Sequence, residues 1–159
     1  MAAWWQEVWS ITLEEFSDLA NLRDFTRAAI RMLVAASLGA LIGYERESKG
    51  RPAGLRTHML VALGSALFVI VPMQSGMDVD NLSRVLQGLI SGIGFLGAGA
   101  IIKLAQDREI QGLTTAASIW ITASIGLAAG MGRETTALLG TAVTLFVLKV
   151  LYKLEKHRD

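Results

Sequence analysis

Residues 87–102 form a long, uncharged, apolar run that nevertheless carries five glycines, Gly88, Gly92, Gly94, Gly97 and Gly99. In water such a helix is disfavoured, because each interior glycine costs roughly 1 kcal/mol relative to alanine. A single strand is excluded by length, since strands rarely exceed about 10 residues. In a bilayer the helix survives, because lipid offers the backbone no other hydrogen-bond partner. Small residues also let neighbouring helices approach closely. The run therefore predicts a membrane helix built for packing, with Gly88, Ser91, Gly92, Gly94, Gly97 and Gly99 as its contact surface.

Four more apolar segments have similar character, and the predicted spans are 28–44, 59–76, 85–102, 113–131 and 137–154. Most approach the roughly 17–25 residues that cross a bilayer. The chain is 52% hydrophobic and 18% charged, against about 25% charged in soluble domains. We expect an all-α integral membrane protein with five transmembrane helices in one domain, 27–159, and no second folded domain. Residues 1–26 place Trp4, Trp5, Trp9, Leu13, Phe16 and Leu19 at mostly helical spacing, with Glu7, Glu14, Glu15 and Asp18 elsewhere. That pattern predicts a short amphipathic helix whose tryptophans suit the headgroup zone. It does not resemble a cleaved signal peptide, because no basic residue precedes Arg23.

Charge sets the expected orientation. One side receives Arg46, Lys49, Arg51, Arg56, Lys103, Arg108, Lys149, Lys153, Lys156 and Arg158; the other receives Arg23, Arg27, Arg31, Arg84 and Arg133. The excess of ten over five marks the cytoplasmic side. The N-terminus is then outside and the C-terminus cytoplasmic. A formal net charge of +1 gives no sign of nucleic-acid binding, and the expected partners are the bilayer and further copies of the chain. The absence of cysteine excludes disulfides, thiolate metal sites and cysteine nucleophiles.

Gly92, Gly94 and Gly97 fit the G-x-G-x-x-G spacing, but a dinucleotide site needs a preceding strand and a helix that opens at the glycines. Mid-span glycines do not supply it. A second polar concentration lies at the cytoplasmic ends of the spans: Glu45, Arg46, Arg56, Thr57 and His58 around the first loop, and Thr114 and Thr115 at the start of the fourth span. Topology alone accounts for the basic residues. The functional alternative is an ion-paired cluster at the inner mouth of the bundle, with Glu45 and Arg56 as the expected pair. On the outer side, Arg31, Arg84 and Gln87 sit at the membrane edge, where ionisable groups are expected to pair; Asp78 and Asp80 are the candidate partners.

No base and nucleophile adjoin one another, so no enzyme is expected. No cofactor is evident. Mg²⁺ takes six oxygens in near-octahedral geometry, and the middle thirds of the spans hold no carboxylate. Glu45 is the best metal candidate, by position at a helix edge, and hydrated passage through an oligomer stays open.

Four motifs occur in order: Gly39 to Glu47, with Gly43, Tyr44, Glu45 and Arg46; Ala53 to His58; Ser91 to Gly99; and Gly112 to Ala117. Together these segments resemble the MgtC/SapB family of bacterial membrane proteins. The resemblance covers roughly residues 28–132, the family's hydrophobic domain, and implies five spans in the bacterial inner membrane. It also implies a role in growth under Mg²⁺ limitation, by regulation of a membrane partner such as the proton-driven ATP synthase, or alternatively by transport of Mg²⁺ or another cation. The best-known members carry a soluble C-terminal domain after the membrane part, so a short, SapB-like member is expected here.

Overall fold

The computed structural model describes residues 2–15, 21–104 and 111–151. All the regular elements among them are helices: α1 (Ala2–Glu15), α2 (Leu22–Ser48), α3 (Leu55–Gln74), α4 (Val79–Leu104), α5 (Leu113–Gly130) and α6 (Glu134–Phe146), which continues as a π-helical turn, Val147–Leu151. The chain divides into two compact units, 1–30 and 31–159. Among the basic residues used for orientation, Arg108, Lys153, Lys156 and Arg158 lie outside the described residues.

In the first unit, α1 exposes Trp4, Trp5, Trp9 and Leu13, and the Trp4 and Trp5 rings stack with centroids 3.9 Å apart. Of the N-terminal helix expected through residue 26, α1 covers Ala2–Glu15, residues 16–20 with Phe16, Asp18 and Leu19 lie outside the described residues, and residues 22–26 open α2 instead. Asn21 makes that start possible, because its carbonyl accepts the N–H groups of Asp24 and Phe25.

Four helices, α2 to α5, are long and apolar enough to cross a membrane. Three run past the predicted spans, and the extensions have local causes. α3 begins at Leu55, four residues early, because the Glu47 carboxylate accepts the Leu55 N–H at 2.8 Å and so occupies one of the donors a helix start leaves free. α4 begins at Val79 because Asp78 acts as its N-cap, its Oδ1 accepting the Asn81 N–H at 2.7 Å. Positive φ at Gly50, Gly76 and Gly132 lets the chain turn sharply between helices. α6 holds 13 α-helical residues, about 20 Å of rise, and only the π turn brings it towards bilayer length.

In the second unit α5 is central and packs against α3, α4 and α6. It is buried on most of its circumference, from Thr115 to Gly130. Its contact with α3 is a small-residue crossing. A Cβ added at Gly126 would meet the Ala62 backbone, and one at Gly130 would stand 2.7 Å from the Ala66 carbonyl oxygen. The two pairs advance in the same direction along both chains, so α3 and α5 run parallel. A second crossing joins α2 to α3, where a Cβ at Gly39 would stand 2.6 Å from the His58 carbonyl oxygen and one at Gly43 would stand 2.7 Å from Leu55 Cα. Both crossings use small residues four apart, the arrangement that lets membrane helices approach closely. Beside them, Ile93 of α4 joins Ala53, Ile119 and Ala123 in an apolar cluster.

The glycines of α4 behave differently from their expected role. Gly88, Gly92, Gly94 and Gly99 have nothing within 4 Å of an added Cβ, and only Gly97 meets a neighbour, the Ala116 methyl at 3.6 Å. Among the described helices the close crossings belong to Gly39, Gly43, Gly126 and Gly130.

Candidate functional site

The end of α2 and the starts of α3 and α5 come together through the α2–α3 crossing and the parallel α3–α5 pair. Glu45 and Arg46 end α2 almost fully buried, at 3% and 4% exposure. Arg46 Nη1 stands 3.6 Å from Glu45 Oε2. Among the described residues both Glu45 carboxylate oxygens and Arg46 Nε lack a hydrogen-bond partner. The expected pairing of Glu45 with Arg56 is therefore replaced by Glu45 with Arg46, while Arg56, Thr57 and Thr114 point to the exposed side. The reason is helical geometry: Arg46 lies on the α2 face that Gly39 and Gly43 press against α3, so its stem is carried inward.

His58 is the most enclosed polar residue of the cluster, with no exposed surface. Its Nδ1 lies 2.9 Å from the Gly54 carbonyl oxygen and its Nε2 lies 3.1 Å from Ser118 Oγ. A carbonyl can only accept, so Nδ1 carries the proton and donates to Gly54. In the neutral ring Nε2 then accepts from the Ser118 hydroxyl. That hydroxyl also lies 2.8 Å from the Thr115 carbonyl, and its single proton serves one acceptor at a time. Thr115, Ser118 and Thr122 line one buried face of α5, and the Thr122 hydroxyl donates to the Ser118 carbonyl at 2.7 Å.

Of the residues expected in this cluster, Glu45, Arg46, His58 and Thr115 are brought together, and Arg56, Thr57 and Thr114 stay at its rim. Sequence reasoning missed Glu47, which carried no signal, because its role depends on how tightly the intervening turn closes. Ser118 was readable beside Thr114 and Thr115 as a hydroxyl able to face the cluster, and its i+3 spacing from Thr115 places both hydroxyls on one helix face.

At the opposite end, Arg31 pairs with no acid among the described residues. Its Nη1 donates to the Gly130 carbonyl at 3.2 Å, one of the free carbonyls where α5 ends. A cation here also meets the negative end of the helix dipole. Asp78 is engaged by Asn81, through both the backbone and the side-chain amide. Arg84 and Gln87 are exposed, and no ion pair joins Arg31 or Arg84 to Asp78 or Asp80 among the described residues.

The fit to Mg²⁺ is poor. Among the described residues no group of three His, Cys, Asp or Glu side chains is placed to hold a metal. The Glu45 carboxylate, the best candidate by sequence, already faces a guanidinium.

An all-helical chain with four helices of membrane-spanning length and a polar cluster where three of them meet defines a helical membrane protein. The model of the MgtC family matches residues 32–157, and the chain belongs to that family. It is 44% identical over 144 residues to Protein SrpB of Synechococcus elongatus, covering 84% of this chain and 79% of SrpB. It is 44% identical over 132 residues to "Putative magnesium transporter YhiD" of Escherichia coli K12, covering 79% of this chain and 60% of YhiD. It is 43% identical over 116 residues to Protein MgtC of Salmonella typhimurium LT2, covering 73% of this chain and 48% of MgtC. The chain thus spans well under two thirds of YhiD and about half of MgtC. No solved structure matches it.

Proposed function

We propose that this chain is a Mg²⁺-related inner-membrane protein that works as a homo-oligomer and acts on a membrane partner during adaptation to low Mg²⁺. α6 and its π turn are the fifth span, with the N-terminus outside and the C-terminus cytoplasmic, as the charge excess on one side predicts. The observation that carries the oligomer is the outward face of α4, the least buried of the four long helices. On a 3.6-residue period Arg84, Gln87, Ser91, Gly94, Phe95 and Ala98 share the face opposite Leu89, Ile93 and Ala100. All six are exposed, and among the described residues no side-chain hydrogen bond or ion pair engages Arg84, Gln87 or Ser91. An amide and a hydroxyl turned towards lipid favour a second helix that can satisfy them, and small residues beside them favour its close approach. A partner such as the ATP synthase then meets the assembled oligomer; family membership supports this part of the reading.

The test is growth at limiting Mg²⁺ of cells that depend on this gene, with Gly88→Leu and Gly94→Leu variants. Loss of growth together with loss of the oligomer, at unchanged protein level, is the expected result. Full growth by a monomeric variant would sink the oligomer.

A second reading is transport of Mg²⁺ or another cation. It is favoured by the printed name of YhiD and by the two Glu45 oxygens without hydrogen bonds. It predicts uptake into liposomes loaded with a Mg²⁺ indicator, abolished in Glu45→Ala. Inserted, folded protein that gives no uptake above empty liposomes removes it.

A further inference from the structure

The turn between α2 and α3 leaves an open cleft of about 490 Å³ against the first turn of α3, lined by Arg51, Arg56, Thr57, Glu47 and Gly54. Arg51 and Arg56 are both exposed, and among the described residues neither makes an ion pair or a hydrogen bond through its side chain. Both line the cleft, and Pro52 stiffens the turn that leads from one towards the other. Among the described residues Glu47 is the only acid on the wall, and its Oε2 accepts the Leu55 N–H. The cleft therefore offers two guanidinium forks and a hydroxyl, with one oxygen of its carboxylate hydrogen-bonded to the protein backbone.

We propose that this cleft binds a phosphate group, the ligand class being a phosphate ester, either in the headgroup of an anionic phospholipid or on a soluble molecule. Guanidinium groups match phosphate oxygens with paired, charge-assisted hydrogen bonds, which a solvated lysine does not reproduce. The cleft lies where α2 ends and α3 begins, which is the headgroup depth if both helices span the bilayer. That placement rests on the reading of α2 and α3 as membrane spans, whereas the phosphate chemistry does not. The bland alternative is a pair of solvated arginines that only set topology.

The experiment is native mass spectrometry of the full chain in neutral detergent, titrated with phosphatidylglycerol and, separately, with phosphatidylcholine. Wild type is expected to retain phosphatidylglycerol at least several-fold more strongly. Arg51→Gln/Arg56→Gln is expected to weaken that retention roughly tenfold, about one charge-assisted contact in free energy, while Arg23→Gln/Arg133→Gln leaves it unchanged. Inorganic phosphate added in excess separates the sources. Failure to displace the lipid assigns a headgroup; displacement, with phosphate retained alone, assigns a soluble phosphate ester. Equal lipid retention by wild type and Arg51→Gln/Arg56→Gln, with no phosphate bound, overturns the proposal. So does an equal loss in Arg23→Gln/Arg133→Gln, which would mean that net charge alone is being read. If Arg51→Gln/Arg56→Gln does not fold by circular dichroism, Arg51→Lys/Arg56→Lys takes its place. Several-fold weaker retention there supports the site, and undiminished retention contradicts it. Whether the chain inserts into liposomes is measured separately, so a failed span assignment is not mistaken for a failed phosphate site.

Discussion

Glu45 and Arg46 show how much a single buried contact can weigh. Both side chains are almost fully buried, and their separation of 3.6 Å is the main compensation either charge receives. Removing one partner leaves the other charge buried and unmatched, which typically costs about 3–5 kcal/mol. Arg46→Ala is therefore expected to be among the most destabilising substitutions in the chain, and Glu45→Leu/Arg46→Leu to lie closer to wild type than Arg46→Ala does. Chemical denaturation in detergent, read by tryptophan fluorescence, checks the order of the three proteins. An Arg46→Ala protein as stable as wild type would show that the pair contributes little. The pair was half legible in the sequence. Glu45 and Arg46 were readable as a helix edge, but burial and partner choice depend on Gly39 and Gly43 drawing α2 onto α3, a tertiary contact with no local sequence signal.

Glycines separate into two kinds once the helices are packed. Those of α5 are structural, since an added Cβ at Gly126 would run into the Ala62 backbone. Gly126→Ala is expected to destabilise the protein by about 1–3 kcal/mol through overpacking. Gly92 meets nothing within 4 Å, so in a monomeric detergent state Gly92→Ala is expected to be neutral or stabilising by up to about 1 kcal/mol, the helix-propensity difference. Thermal midpoints of the two variants in one detergent test the contrast, and the reverse order would contradict the packing described. Helix ends carry smaller effects. Glu47→Ala should destabilise the start of α3 by about 1 kcal/mol, visible as faster amide exchange at Leu55. Glycine density drew attention to α4 because sequence reports how many small residues a helix has. It does not report which face meets a neighbour, and the less glycine-dense α5 makes the closer crossing. The element order and the α5 boundaries were readable, because apolar length and turn glycines are local properties. The early starts of α3 and α4 were not, because Glu47 and Asp78 act through caps set by the turns.

At the scale of the molecule, α5 is enclosed by α3, α4 and α6, while α4 turns Gln87 and Ser91 outward without a partner among the described residues. Lipid satisfies neither group, and the proposed oligomer puts a second copy of α4 against them. Family membership was legible from four ordered motifs, and the exposed face of α4 was not, because a sequence does not say which side of a helix its own neighbours cover. The chain's lack of cysteine makes the decisive measurement clean. Ser91→Cys is introduced alone, Ile93→Cys on the opposite, buried face serves as the control, and both are oxidised in native membranes. The account predicts a disulfide-linked dimer from Ser91→Cys and none from Ile93→Cys. No dimer from Ser91→Cys, or equal dimer from both positions, would contradict an oligomer built on the outward face of α4.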